Sequence, residues 1–301
     1  MARPTGMTTN EQLPPTFITR SAALRQRGIT DEAFAAEFRH FRGGTYVDRA
    51  ALLTAREFVI GVANAAEGEP VVAGAAATIM HESAWYDEDF SVELIRMPGS
   101  SGRPACATVT HRLDLDPADV VEIDGIRVTN AIRTAFDIAR VKPAWRALGY
   151  LDALARATRF NPVDLAVYAD MQKWRRNVRQ ARELARIVDA AAESPGESGL
   201  RLLVVRSDLP TPDLQIVVAD QTGMIIARID LGYAALKVGI EYDGEEFHSS
   251  PQQRADDQRR QDKLTELGWI IIRVDRERMR TNPFGIILEI DRAIRSRGGH
   301  Y

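Results

Sequence analysis

The sequence predicts a multi-domain α+β protein. Its 301 residues exceed the usual size of one domain, and short apolar runs with strand periodicity alternate with segments of helical periodicity. The composition changes at Ser194-Pro195-Gly196, which is typical of a boundary between domains. We therefore expect a flexible lead at 1–16, a helix-turn-helix module at 17–49, a mixed α+β region at 50–142, a helical connector at 143–193 and an α/β domain at 194–301.

The composition is that of a soluble globular protein. Hydrophobic residues make up 45% and charged residues 27%, and the formal net charge of −3 does not indicate attraction of the whole molecule to nucleic acid. The single cysteine, Cys106, excludes an internal disulfide framework and suits a reducing compartment. Apolar runs are too short to span a membrane, and residues 1–16 lack the apolar core of a signal peptide. We expect a cytoplasmic protein without a membrane partner.

Residues 17–49 have the outline of two helices followed by a hairpin. Gly28 stops the first predicted helix, Thr30 caps the second, which runs to about Arg39, and Gly43-Gly44 turns the hairpin. This order favours a winged helix-turn-helix, a DNA-binding device. The second helix is acidic and would repel phosphate, so a small helical docking module is the alternative.

Residues 50–142 mix helices with short strands, including a hairpin turned at Asp124-Gly125 and an amphipathic helix after it. His81 and His111 do not have the spacing of metal ligands, and we expect them to be packing or surface residues.

Residues 143–193 are predicted to be helical throughout. Asn161-Pro162 interrupts the pattern, and a long helix is expected from Met171 to Ala192. Its predicted buried stripe comprises Trp174, Val178, Ala181, Ala185 and Val188. The other faces carry a marked excess of cations over acids, which indicates contact with a phosphate backbone, although a solvated face is the simpler interpretation. The predicted DNA-binding residues are Arg175, Arg176, Arg179 and Arg182.

The C-terminal domain is predicted to have the order helix, hairpin, strand, helix, strand, helix. Asp230 ends one apolar strand, and Glu241 and Asp243 lie two residues apart at the end of the next one. Adjacent pairing would bring Asp230 and Glu241 side by side, and a helix that begins near Glu197 could cover them. Converging carboxylates repel each other unless a cation neutralises them, so Mg²⁺ or Mn²⁺ is the predicted ligand. Surface acids at a polar strand end are the alternative.

The ordered set of Glu197, Asp230, the IEYDG segment with His248, and Asp257…Arg260…Gly268-Trp269 resembles the DUF559 family. That family belongs to the very-short-patch-repair-like branch of the PD-(D/E)XK nucleases. The resemblance covers roughly residues 194–295 and implies a restriction-endonuclease-like sheet with flanking helices. The upstream GGTYV and VTNAIRTAFDIAR segments resemble AbiEi-type antitoxins, which are often fused to this domain in actinobacteria.

The resemblance implies roles for individual residues. Asp230 and Glu241 become the metal-binding acids, Glu197 the helix acid, and Asp243 and His248 accessory catalytic positions. The superfamily pattern has Lys where this sequence has Asp243. Lys263 could supply a cation from the following helix, and Asp257 and Arg260 could pair with each other or with the strand acids.

Two functions follow as hypotheses. The first is a DNA-binding protein whose endonuclease-like domain hydrolyses phosphodiesters with Mg²⁺ or Mn²⁺. The second is a non-catalytic transcriptional regulator or antitoxin of a type IV toxin-antitoxin-like system, with an operator or a cognate toxin as its partner and the nuclease fold as a scaffold. A third interpretation is an interaction module whose arginine-rich helix holds an acidic partner.

Overall fold

The computed structural model describes residues 17–96, 108–244 and 251–301. Within these ranges the chain forms twelve α-helices and twelve β-strands, which are arranged in three sheets. The α+β class predicted from the sequence is confirmed. Among the helices described, none has the length and apolar character needed to cross a membrane. The predicted flexible lead at residues 1–16 and His248 both lie outside the described residues.

The N-terminal module is a pair of short helices packed on a three-stranded antiparallel sheet of order β1-β3-β2. Both helices begin at a threonine whose hydroxyl accepts a backbone N–H, Thr19 from Ala22 and Thr30 from Ala33, each at 3.2 Å. The second helix was predicted to run to about Arg39 but ends two residues earlier, and Arg39 lies in the strand that follows. The elements are β1 (Phe17–Thr19), α1 (Arg20–Arg27), α2 (Asp31–Glu37), β2 (Phe38–Arg42) and β3 (Thr45–Asp48).

The middle region is built on a five-stranded mixed sheet of order β6-β5-β4-β8-β7. Val72, Leu94 and Val128 are fully buried against the helices that cover this sheet. Asp124 and Gly125 both have positive φ, as the predicted hairpin turn requires. The elements are α3 (Ala55–Ala65), β4 (Val71–Ala73), α4 (Gly74–Met80), β5 (Val92–Arg96), β6 (Thr108–Arg112), β7 (Val120–Ile123), β8 (Ile126–Thr129) and α5 (Ala131–Ala139).

Three helices follow: α6 (Ala144–Thr158), α7 (Pro162–Met171) and α8 (Val178–Ala185). The prediction of one helix from Met171 to Ala192 is wrong. Asn177 has φ +59, and its side chain donates a 2.8 Å hydrogen bond to the carbonyl of Arg140, so a tertiary contact holds the break.

The predicted apolar stripe is correct from Val178 onwards, because Val178, Ala181, Ala185 and Val188 are buried. It is wrong for Trp174, whose surface is 97% exposed. Trp174 lies in the turns between α7 and α8, so the helical periodicity that continues from Val178 does not apply to it.

The C-terminal domain has a four-stranded sheet of order β12-β11-β10-β9, in which β11 and β12 are parallel and the other pairs antiparallel. The predicted order of helix, hairpin, strand, helix and strand is confirmed. Two helices cover one face and the crossover helix between the parallel strands covers the other. The elements are α9 (Pro195–Val205), β9 (Asp213–Ala219), β10 (Ile225–Tyr233), β11 (Val238–Asp243), α10 (Pro251–Glu266), β12 (Ile270–Asp275), α11 (Arg276–Thr281) and α12 (Pro283–Ser296).

A buried polar contact joins the helical region to the C-terminal domain. Asp152 on α6 accepts hydrogen bonds from the Ser198 hydroxyl at 2.6 Å, from the backbone N–H of Asp189 at 2.9 Å and from the Arg201 guanidinium. The side chains of Asp152 and Arg201 are 2% and 4% exposed. This contact fixes α9, and with it Glu197, against α6.

Candidate functional site

Asp230 and Glu241 lie on neighbouring antiparallel strands. Leu231 pairs with Ile240, and continuing this register by one residue places Asp230 opposite Glu241, side by side as expected from the sequence. The Oδ2 atom of Asp230 accepts the backbone N–H of Tyr242 at 2.8 Å. The Asp230 side chain therefore binds the neighbouring strand where the backbone ladder ends.

The alternation of β10 changes at Asp230. Ile229 packs on the face covered by α10, whereas Leu231 packs on the face covered by α9 and α12. On the neighbouring strand Gln215 has φ +50, a left-handed conformation that breaks the strict period of two. The sequence carries no signal for this irregularity, since glutamine seldom adopts that conformation.

Glu197 lies in the first turn of α9, whose N-terminus is capped by Ser194. Its side chain is buried, and its Oε2 atom accepts hydrogen bonds from the backbone N–H of Glu193 at 2.9 Å and from Gln215 at 3.0 Å. A carboxylate in the first turn of a helix is also stabilised by the positive end of the helix dipole.

The charges of the two glutamates act on the Asp230 carboxyl. Burial, above all, raises the pKa of Asp230 from its ordinary value of 3.8 to about 7, and the charges of Glu197 and Glu241 raise it further. The Tyr242 N–H and the charge of Arg260 oppose this shift. Asp230 is thus an acid that changes its protonation near neutral pH.

Glu241 is only 5% exposed and has a cationic partner within the protein. Both terminal nitrogens of Arg260, on α10, donate to its two carboxylate oxygens at 3.1 Å each. Arg273, which is in register with Glu241 on the parallel strand β12, brings its Nε atom to 3.8 Å. Of the two pairings considered for Arg260 from the sequence, the one with a strand acid is present.

Two further residues considered from the sequence, Asp243 and Lys263, lie beside other carboxyl-bearing residues. Asp243 is in register with Asp275 at the end of the parallel pair. Lys263 lies near the turn between β9 and β10. There the pKa of Asp220 is lowered by hydrogen bonds from Thr222 and Met224 and, more weakly, by the charge of Lys263. Lys263 is therefore near a different carboxylate from the one that Arg260 binds.

The described carboxylates do not form a preformed metal centre. Within residues 17–96, 108–244 and 251–301 there is no group of three or more His, Cys, Asp or Glu side chains arranged to hold a metal ion. Asp230, Glu197 and Glu241 each accept hydrogen bonds from protein N–H groups. The donor set of the described residues therefore does not fit Mg²⁺ or Mn²⁺ as it is arranged.

The predicted DNA-binding arginines differ in their surroundings. Arg182 is bound to Asp170 on α7 at 2.6 Å. Arg175, Arg176 and Arg179 are exposed, as is the nearby Lys173. Within the part of the chain that the structure describes, these four side chains form no ion pair. We call Lys173, Arg175, Arg176 and Arg179 the basic cluster.

Comparisons with known proteins match the two halves separately. The AbiEi antitoxin C-terminal domain matches residues 60–186, which extend from α3 through α8, and REase_MTES_1575, a DUF559-type nuclease-like domain, matches residues 205–294. Glu197 and the basic cluster lie outside the nuclease-like match. These matches confirm the two resemblances in outline, although the GGTYV segment lies before the antitoxin-like match.

Two proteins of Mycobacterium tuberculosis, MT2308 and Rv2248, are each 31% identical to this chain over 195 residues, which is 65% of this chain and 71% of theirs. The crystal structure of the RV2827C protein from the same species has a TM-score of 0.40 and 15% identity, with coverage of 70% of this chain and 86% of that chain. The chain belongs to the same family as MT2308 and Rv2248, and it carries an AbiEi antitoxin-like domain followed by a DUF559-type nuclease-like domain.

Proposed function

We propose that this protein is a DNA-binding regulator or antitoxin in which the nuclease-like domain acts as a scaffold. The observation that carries this proposal is the contact between Arg260 and Glu241, in which both carboxylate oxygens accept hydrogen bonds from one guanidinium. Such a fork neutralises the acid that a metal-dependent nuclease would use as a ligand. Asp243, in place of the lysine of the family pattern, supports the same conclusion.

The basic cluster is the proposed DNA contact. A protein with a net charge of −3 needs a local concentration of cations to bind a polyanion. Cations that are already paired with carboxylates contribute less, because binding phosphate then requires the ion pair to open. The four exposed side chains of the basic cluster avoid this cost, whereas Arg182 is paired with Asp170.

The N-terminal module is a second candidate for operator binding. The order β1-α1-α2-β2-β3 and the three-stranded sheet support a winged helix-turn-helix. Two of its cations are used in packing, because Arg27 lies over the ring of Phe38 at 5.1 Å and Arg42 over the ring of Phe58 at 5.7 Å. We therefore expect this module to orient the protein on an operator, with the basic cluster supplying most of the phosphate contacts.

The test is binding of a labelled 30-base-pair duplex from upstream of the gene, beside an unrelated duplex. Replacing Arg175, Arg176 and Arg179 with glutamine should weaken both complexes. It should also reduce the slope of the logarithm of the association constant against the logarithm of the salt concentration by about 2 to 3. The matched control replaces Arg259, Arg280 and Arg295 with glutamine. These three arginines are exposed and paired with acids, and the control variant has the same total charge as the variant of the basic cluster. Equal salt slopes for the two triple variants would contradict the assignment of the basic cluster.

A Mg²⁺-dependent endonuclease is the second candidate function. The observation that favours it is that the charges of Glu197 and Glu241 add to burial in raising the pKa of Asp230, because clustered acids of this kind gain from a divalent cation. Titration of Mn²⁺ into the protein and into an Asp230→Ala variant tests for a site, and nicking of supercoiled DNA by Glu241→Ala tests for catalysis. A metal site lost in Asp230→Ala, with nicking lost in Glu241→Ala, would replace the scaffold proposal with this one.

A further inference from the structure

The outward face of α7 carries an apolar stripe, whereas the solvent-facing side of a helix is usually polar. Leu165 and Ala169 are fully buried and define the inward face. On the other side Val163, Val167 and Met171 follow one another at intervals of four residues and are 62%, 54% and 74% exposed. Valine is a poor helix former at an exposed position, so helix stability does not account for this stripe.

Trp174 follows this stripe in the sequence and lies in the turns between α7 and α8. It lies three residues after Met171 and is 97% exposed, although tryptophan is among the residues most buried on average. The aromatic rings that make contacts within the described residues do not include that of Trp174. Its indole is therefore available to a ligand on both faces.

The basic cluster immediately surrounds Trp174 in the sequence. Lys173 precedes the indole, Arg175 and Arg176 follow it, and Arg179 is the second residue of α8. The acids of the same helix do not neutralise these cations, because Asp170 is bound to Arg182 and Asp164 lies in the first turn at the far end of α7. An exposed aromatic ring among exposed cations is the combination that binds unpaired nucleotides, with the ring stacking on a base and the cations contacting phosphates.

We propose that the surface formed by Met171, Trp174 and the basic cluster binds single-stranded nucleic acid, with the indole of Trp174 stacked on an unpaired base. This inference rests on the proposed DNA-binding function and specifies the class of substrate. A paired duplex offers its phosphates to the cations but keeps its bases stacked on one another, so it gives the indole no partner. The surface lies within the antitoxin-like match and outside the nuclease-like one, so it is separate from the Glu241 site.

The test compares the affinities of three labelled probes: dT15, rU15 and a blunt 20-base-pair DNA duplex. Trp174→Ala should weaken binding of the preferred single strand by roughly 5- to 150-fold and leave duplex binding within about twofold, because stacking of one base is lost. Trp174→Phe should retain most of the affinity while abolishing the quenching of tryptophan fluorescence that the single strand causes. Phe284→Ala, which removes another exposed aromatic ring, is the control and should leave all three affinities unchanged.

The possible outcomes separate this inference from the proposed function. If neutralising the cluster weakens duplex and single strand equally and Trp174→Ala affects neither, the stacking proposal is overturned while DNA binding stands. If neither change affects any probe, both proposals are overturned. If Trp174→Ala instead abolishes self-association of the protein without affecting the probes, the surface is a contact between copies, and the proposal is again overturned. Whichever of dT15 and rU15 binds more tightly identifies the preferred sugar, since only RNA offers a 2′-hydroxyl.

Discussion

Arg260 holds Glu241 through two parallel hydrogen bonds, each 3.1 Å long, which join the crossover helix α10 to the strand β11. Glu241 is nearly inaccessible to water, whereas the Arg260 side chain is 32% exposed. The ion pair thus joins a buried carboxylate to a guanidinium whose side chain is partly exposed. The family resemblance assigns this carboxylate to a metal, but in this chain its charge is balanced by the protein itself.

Replacing Arg260 tests how much its pairing with Glu241 contributes to the stability of the fold. We expect Arg260→Met to lower the free energy of unfolding by about 2 kcal/mol, because a nearly buried carboxylate loses two charge-assisted hydrogen bonds and Arg273 at 3.8 Å compensates only in part. In a Glu241→Gln background the same change should cost clearly less, and urea unfolding of the four proteins measures this coupling. Arg259→Met, an exposed change on the same helix, should cost less than about 0.5 kcal/mol. If the effects of Arg260→Met and Glu241→Gln on the unfolding free energy are additive, the hydrogen-bonded pair does not stabilise the fold.

Asp230 should make the protein less stable as the pH rises through neutrality. Its pKa is about 7 in the folded protein against an ordinary value of 3.8, so between these values the folded state binds more protons than the unfolded state. Stability is therefore highest below the lower value and is lost as the pH rises through the upper one. Asp230→Asn keeps an oxygen acceptor for the Tyr242 N–H and removes this titration.

The measurement is the difference in unfolding free energy between Asp230→Asn and the parent protein at pH 6 and at pH 8. The variant should gain about 1 kcal/mol over the parent across this interval. Taking the difference cancels the other groups that titrate in both proteins, including His81, whose pKa is lowered by burial. A difference that does not change with pH would contradict the raised pKa.

Two glycines of α9 offer a matched test of how tightly this helix is packed. A Cβ atom on Gly196 would overlap the ring of Tyr242, whereas one on Gly199 would lie 3.5 Å from the nearest atom, in Met279. We expect Gly196→Ala to destabilise the protein by about 1–3 kcal/mol and to displace the neighbouring Glu197. Gly199→Ala should instead stabilise it by up to about 1 kcal/mol through helix propensity. Thermal unfolding measures the change in stability of each variant, and equal changes would contradict the close contact of Gly196 with Tyr242.

Removing one member of the buried pair of Asp152 and Arg201 should destabilise the protein strongly. We expect Arg201→Met to lower the unfolding free energy by about 3–5 kcal/mol, because Asp152 is then left buried without its cation. Burial already raises the pKa of Asp152 to about 6, although Arg201, Ser198 and the Asp189 N–H oppose the shift. The double variant Asp152→Asn/Arg201→Met should recover at least about 1.5 kcal/mol of the loss. If urea unfolding finds the double variant as unstable as the sum of the single ones, the pair does not couple α6 to α9.

The order of helices and strands was largely predictable from the sequence. The cap at Thr30, the interruption at Asn161-Pro162, the hairpin at Asp124-Gly125 and the apolar runs of the C-terminal strands are local signals, and the structure follows them. The adjacency of Asp230 and Glu241 was predictable too, because consecutive apolar strands with a short connection pair with each other.

The helix break at Asn177 was not predictable in the same way. Helical periodicity continues through this segment in the sequence, but the break is held by a hydrogen bond to Arg140, which lies 37 residues earlier in the chain. The exposure of Trp174 follows from that break.

Residue order and periodicity therefore predicted the fold class, the two family resemblances and the set of candidate acids and cations. The pairing of cations with acids became visible in the folded protein: Arg260 and not Lys263 binds Glu241, Arg182 is paired with Asp170, and Arg175, Arg176 and Arg179 remain exposed. The physical reason is that periodicity reports burial along a single helix or strand. The partner of a charged side chain depends instead on the distance between elements that are far apart in the chain.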